Sequence, residues 1–139
     1  ILMTSLHAAA LRGVSIEIIV PARSNIPFID WVMASNFARI IQHGIKIYKN
    51  KRPFDHSKIV MIDDLWSFIG SSNWDARSLE FNFEINIECF DTQLNAQLTE
   101  LFNVKKQNAN RVDADDDVNN RPIYIRFRNN LVRLFSPYL

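Results

Sequence analysis

The chain has 139 residues, 47% of them hydrophobic, with three Gly and five Pro, which suits one packed domain and excludes disordered, collagen-like and low-complexity classes. Lys+Arg 16 against Asp+Glu 15 leaves a net charge of +1, so bulk charge does not mark a nucleic-acid binder. The single cysteine, Cys89, excludes an internal disulfide, and no Cys/His cluster has zinc-ligand spacing, as expected for a reducing compartment.

Leu6, Ala9 and Ala10 suit a helix that stops at Gly13, where a positive φ is cheapest. Residues 14–20, VSIEIIV, read as a β-branched strand ended by Pro21. Phe28, Trp31, Val32, Phe37, Ile40 and Ile41 recur at spacings of three and four, a helical stripe closed by Gly44, and 45–48 is a second strand. Strand, helix, strand at this spacing predicts a βαβ unit with parallel neighbours. HSKIVMID (56–63), WSFIG (66–70) and FNFEINIECF (81–90) have strand character, interrupted by Asp63-Asp64 and by a polar stretch at 71–78. Residues 92–106 read as an amphipathic helix with Leu94, Leu98, Leu101 and Phe102 on its apolar face. DADDDVNN at 113–120 reads as an exposed linker before a final segment that mixes apolar residues with Arg126, Arg128 and Arg133. Charge is uneven along the chain: residues 61–100 hold one Lys/Arg and eight Asp/Glu, while 1–60 hold eight and three. No apolar run reaches the roughly 18 residues that span a bilayer. The chain opens at Ile1, without an initiator Met or a signal-peptide pattern.

The most specific signal is His56-Ser57-Lys58, four residues, Asp63, six residues, then Gly70-Ser71-Ser72-Asn73. A chance match to all these positions is on the order of one in a million. On a regular strand His56 and Lys58 share a face and Asp63 takes the other, supporting the site from behind. Ser71 and Asn73 can bring hydroxyl and amide donors to the same edge. Phosphoryl chemistry without a metal needs such a set: an imidazole to attack phosphorus or protonate a leaving oxygen, and Lys58 and Asn73 to offset charge on the equatorial oxygens. Such a histidine needs its second nitrogen held, commonly by a carboxylate. In FNFEINIE, Asn82, Glu84, Asn86 and Glu88 line one strand face and Phe81, Phe83, Ile85 and Ile87 the other, which makes Glu84 the candidate orienter.

HSKIVMID with GSSN resembles the HxKxxxxD signature of the phospholipase D superfamily, and GSSNWDARSLEFNFEIN is similar to its form in bacterial cardiolipin synthases. AALRGVSIEIIVPARSN and the terminal RLFSPYL carry the resemblance through nearly the whole chain, to the carboxy-terminal half of those enzymes. Trp74, where leucine is commoner, and the acidic DADDDVNN depart from the pattern. The resemblance implies an α/β fold, a phospholipase D-like α-β-α sandwich whose mixed sheet has helices on both faces. It implies a half-domain over 1–110 with its motif region at 51–78, an acidic linker at 111–121 and a helical segment at 122–139. By position, His56, Lys58 and Asp63 match the catalytic triplet, Lys58, Ser71 and Asn73 the phosphate contacts, and Glu84 the acid that orients the histidine. No metal and no cofactor are implied.

Such enzymes pair two HxKxxxxD motifs across one site, and this chain has one, so the resemblance implies a missing amino-terminal half or a homodimer partner. It further implies joining of two phosphatidylglycerols to give cardiolipin and glycerol through a phosphohistidine, on the surface of a bacterial cell membrane to which other parts of the protein anchor it. No nucleic-acid partner is expected. Within the same superfamily the alternatives are a hydrolytic phospholipase D and a single-motif nuclease that homodimerises. Outside it the alternative is a noncatalytic lipid-binding domain, which leaves the His56, Lys58 and Asn73 set without a purpose.

Residue by residue, bland readings stand beside these. Asp63 suits a turn-capping or salt-bridged residue, and Glu84 and Glu88 a solvated strand face. His7 and His43 read as surface residues and Cys89 as a buried, inert thiol. The final segment suits either an interfacial helix, with Leu131, Leu134, Phe135 and Tyr138 inserted among headgroups, or a helix that covers the core.

Overall fold

A computed structural model of the chain describes residues 2–22, 40–51, 53, 55–73 and 82–113. They group into two compact units, one built from residues up to 53 together with 108–113, the other from 55–107.

The first unit opens with helix α1, Leu2–Leu11. It stops where the sequence predicts: Gly13 sits at φ 90°, and the Gly13 and Val14 amides return to the carbonyls of Ala10 (2.9 Å) and Ala9 (3.1 Å). That double closure needs a left-handed residue, which glycine supplies without a Cβ clash. Strand β1, Glu17–Pro21, pairs in parallel with β2, Lys46–Asn50. The parallel neighbours predicted from the strand, helix, strand spacing are therefore present, although most of the connecting stripe, residues 23–39, lies outside the described residues. Its end is described: 40–42 are helical and Gly44 closes them at φ 82°. A short strand, β6, Ala109–Arg111, adds antiparallel to β2 and gives the order β1-β2-β6. Ile40, Ile45, Ile47 and Val112 form the core, with Leu6, Ala10, Ile16, Ile18, Val20 and Ile41 packed on it. Val112 is 2% exposed and its amide donates to the Ile47 carbonyl at 2.9 Å, so the residue just after β6 is seated in this core. The remainder of the acidic stretch and the final segment lie outside the described residues.

The second unit is an antiparallel meander of β3, Lys58–Ile62, β4, Trp66–Gly70, and β5, Asn86–Phe90. Helix α2, Thr92–Gln107, follows. Its first turn is capped by Asp91, whose carboxylate accepts from the Leu94 amide at 2.7 Å. The helix covers the sheet face that carries Met61 and Ser67: Thr99 reaches the Met61 sulfur, and buried Asn95 donates to the Trp66 carbonyl (2.8 Å) and to Ser67 Oγ (3.1 Å). Alternation along the strands puts Lys58, Phe68, Gly70, Asn86 and Glu88 on the opposite face.

One mixed and one antiparallel three-stranded sheet with helices make an α/β architecture. Three local expectations change. Phe83, Ile85 and Ile87 are exposed instead of forming a buried stripe, and Cys89 is half-buried. His43 is exposed, as a surface residue should be, but His7 is half-buried, with its ring centroid 4.6 Å from that of His43.

Candidate active site

The sheet register gathers the motif residues at one end of the second unit. Lys58 lies opposite Gly70, and Gly70 opposite Asn86, so the segment that precedes β3, the loop that follows β4 and the segment that enters β5 meet there. His56 precedes the strand instead of belonging to it. The cause is local: the Asp55 carboxylate captures the Ser57 amide (2.9 Å) and hydroxyl (2.6 Å), so this amide is withdrawn from any sheet ladder. His56 and Lys58 still come together as the spacing predicts. Lys58 Nζ donates to the His56 carbonyl at 2.7 Å and lies 3.3 Å from Nδ1 of the His56 ring.

Ser71 stands across from this pair on the loop after β4. Its amide donates to the Ile85 carbonyl at 2.9 Å, its oxygen accepts from the Ile85 amide at 3.0 Å, and its hydroxyl donates to the Glu84 carboxylate. Asn82 Nδ2 approaches the other Glu84 oxygen at 3.5 Å. Glu84 therefore precedes the regular strand, which starts at Asn86, and the partner the structure gives it is Ser71. Ser72 is buried, held by Asn86 Nδ2 at 2.8 Å, while Asn73 is exposed at the end of the described loop. Gly70 makes this crossing feasible: a Cβ there would stand 1.9 Å from Asn86 Oδ1.

Asp63 is not gathered in. Strand β3 ends at Ile62, and Asp63 begins the three-residue turn to Trp66 with φ 51°, a left-handed conformation that Asp tolerates. Along the strand it lies about 16 Å from Lys58. Its place is that of a turn residue at the far end of the hairpin.

Sequence reasoning missed a second layer. Lys105, in the last turn of α2, contacts Asp55 Oδ2 at 2.5 Å and donates to Ser57 Oγ at 3.2 Å. Burial alone would push the Asp55 carboxyl up; hydrogen bonds from Lys105 and Ser57, with the Lys105 charge, outweigh it and hold the group at about 2, below the ordinary 3.8. Asn86 is the other omission, since on the sequence it is one of several polar residues on a strand face. Among the described residues no three His, Cys, Asp or Glu side chains converge as metal donors, and no helix is long and apolar enough to cross a membrane.

Residues 1–105, which include this whole constellation, match the family described as cardiolipin synthase, PLD-like domain. The chain belongs to that family. A cardiolipin synthase 1 of Staphylococcus epidermidis is 37% identical over 137 residues, 99% of this chain and 28% of that protein. The chain thus spans a little over a quarter of that relative. Among solved structures, a phosphatidylserine synthase of Haemophilus influenzae superposes with a TM-score of 0.72 at 16% identity, covering 99% of this chain and 38% of the other. A phospholipase D family member from Salmonella typhimurium superposes at 0.68 and 21% identity, covering 79% of this chain and 72% of that one. The fold is therefore phospholipase D-like. Within a cardiolipin synthase PLD-like domain, the end of the β3-β4-β5 sheet is where the HxKxxxxD residues His56 and Lys58 meet the serine loop.

Proposed function

We propose that His56 is the acid and base of a phosphatidyl transfer of the cardiolipin synthase type. A histidine from a second HxKxxxxD motif, supplied by the amino-terminal half or by a partner chain, attacks the phosphorus of one phosphatidylglycerol. His56 donates a proton to the departing glycerol oxygen as that P–O bond breaks, leaving a phosphatidyl group on the attacking histidine. His56 then takes the proton from a hydroxyl of a second phosphatidylglycerol as that oxygen attacks phosphorus, which gives cardiolipin and frees the nucleophile.

The observation that carries this reading is the pairing of His56 with Lys58 at the sheet end that also holds Ser71 and the Asn73 loop. The Lys58 ammonium beside Nδ1 supports Nε2 as the ring nitrogen that exchanges the proton with the substrate oxygens. In this reading the same ammonium, with Ser71 and Asn73 of the loop at this sheet end, offsets negative charge on the phosphoryl oxygens. Glu84, through Ser71, sets the donor loop, and its role as orienter of the histidine belongs to the assembled two-motif site. The protein works at the surface of a bacterial membrane, where its lipid substrates are.

The test is incubation of the full-length protein with phosphatidylglycerol and mass analysis of the lipids. Cardiolipin and free glycerol are expected; phosphatidic acid without cardiolipin would reject the transferase and leave a hydrolase. A second reading, a single-motif phosphodiesterase that pairs two copies of His56, draws on the match in length with the Salmonella typhimurium phospholipase D family member. It requires that this chain form dimers on its own and hydrolyse a phosphodiester.

A further inference from the structure

The residues that flank His56 are tied to each other and to a helix 50 positions further along the chain. Asp55 Oδ1 accepts from both the amide and the hydroxyl of Ser57, so one carboxylate closes a loop around the intervening His56. That closed loop is then fixed from outside: Lys105 Nζ binds the second Asp55 oxygen at 2.5 Å and the Ser57 hydroxyl at 3.2 Å. The Asp55 and Lys105 side chains are 26% and 25% exposed, sheltered enough for the pair to hold geometry better than a fully solvated one. On the other side of His56, Lys58 enters β3 and binds the His56 carbonyl. The histidine backbone is thereby clamped between a strand and the carboxy-terminal turn of α2.

We infer that Lys105, acting through Asp55 and Ser57, is a positioning residue that fixes the backbone of His56 for proton transfer. This rests on the reading that His56 carries the reaction. The physical requirement is orientation: an imidazole on a segment without regular strand pairing samples many directions, and a misplacement of about 1 Å at a reacting group costs up to about 100-fold in rate. Anchoring to the end of a helix that itself packs on β3 and β4 removes that freedom.

The experiment uses the full-length protein and measures cardiolipin formation from phosphatidylglycerol in mixed micelles for Lys105→Met, Lys105→Arg, Asp55→Asn, the Lys105→Met/Asp55→Asn double variant and His56→Ala. Lys105→Met and Asp55→Asn should each lower kcat by about 10- to 100-fold with KM within about twofold and the thermal midpoint little changed. Lys105→Arg should restore most of kcat, because a guanidinium keeps the ion pair. The double variant should be no slower than the slower single one, since both remove the same link. A Lys105→Met protein with wild-type kcat, losses that multiply in the double variant, or a loss that follows unfolding and that Arg does not rescue would overturn the inference while His56→Ala stays inactive. Turnover that survives His56→Ala would overturn the reading of the site, and the inference with it.

Discussion

The two units bury different chemistry. In the first, the withdrawn side chains are Ile40, Ile45, Ile47, Tyr48 and Val112; in the second, among the described residues, they are Ser67, Ser72 and Asn95. Apolar burial is non-directional and tolerates adjustment, so the first unit is held by area removed from water. Buried hydroxyls and amides must be matched in direction, so each fixes a particular neighbour: Asn95 ties α2 to β4, and Ser72 ties the loop after β4 to Asn86 at the start of β5. The unit that carries His56 is specified by hydrogen bonds, and its partner unit by packing. Catalysis needs direction more than depth of burial.

That contrast can be broken by substitution. The largest expected effect on stability is Ile47→Ala, which removes a side chain that is 1% exposed and should cost about 2–5 kcal/mol in chemical denaturation, with kcat of the folded protein unchanged. A large fall in kcat at constant folded fraction would show that the first unit does more than scaffold. Next comes Asn95→Ala, which strips donors from the Trp66 carbonyl and Ser67 and should cost about 1–3 kcal/mol. A cost near zero there would mean that the polar matches of the second unit do not specify it.

The smallest effect is a pH dependence. Asp55 titrates at about 2 in the folded chain against an ordinary 3.8, so folding favours its ionised form. That contribution is present in full well above 3.8 and is lost as pH falls through 3.8 toward 2. The small gap in thermal midpoint between the wild type and Lys105→Met, a few degrees at most near neutral pH, should therefore close between about pH 6 and about pH 2. A gap that stays constant over this range would show that the ion pair does not set it.

Much of this was legible in the sequence because it rests on local rules. The Gly13 stop, the parallel β1-β2 pair and the α2 span follow from glycine conformation and apolar spacing. The errors arose where side chains took over backbone partners. His56 lies outside β3 because Asp55 binds the Ser57 amide, and β5 starts at Asn86 because Ser71 takes both polar backbone groups of Ile85. Strand parity puts Asp63 behind the site, but β3 ends one residue earlier, and the structure bears out the other reading of Asp63, that of a turn residue. Lys105 gave no signal at all: a lysine in the last turn of a helix is already accounted for by the helix dipole. Its meeting with Asp55 depends on how α2 packs, which one sequence does not display.

The most direct test of the account is cardiolipin formation from phosphatidylglycerol by the full-length protein with His56 intact and with His56→Ala. The account predicts cardiolipin from the first and a loss of at least about 1,000-fold in the second with the fold preserved. Cardiolipin formed at the wild-type rate by His56→Ala would contradict it.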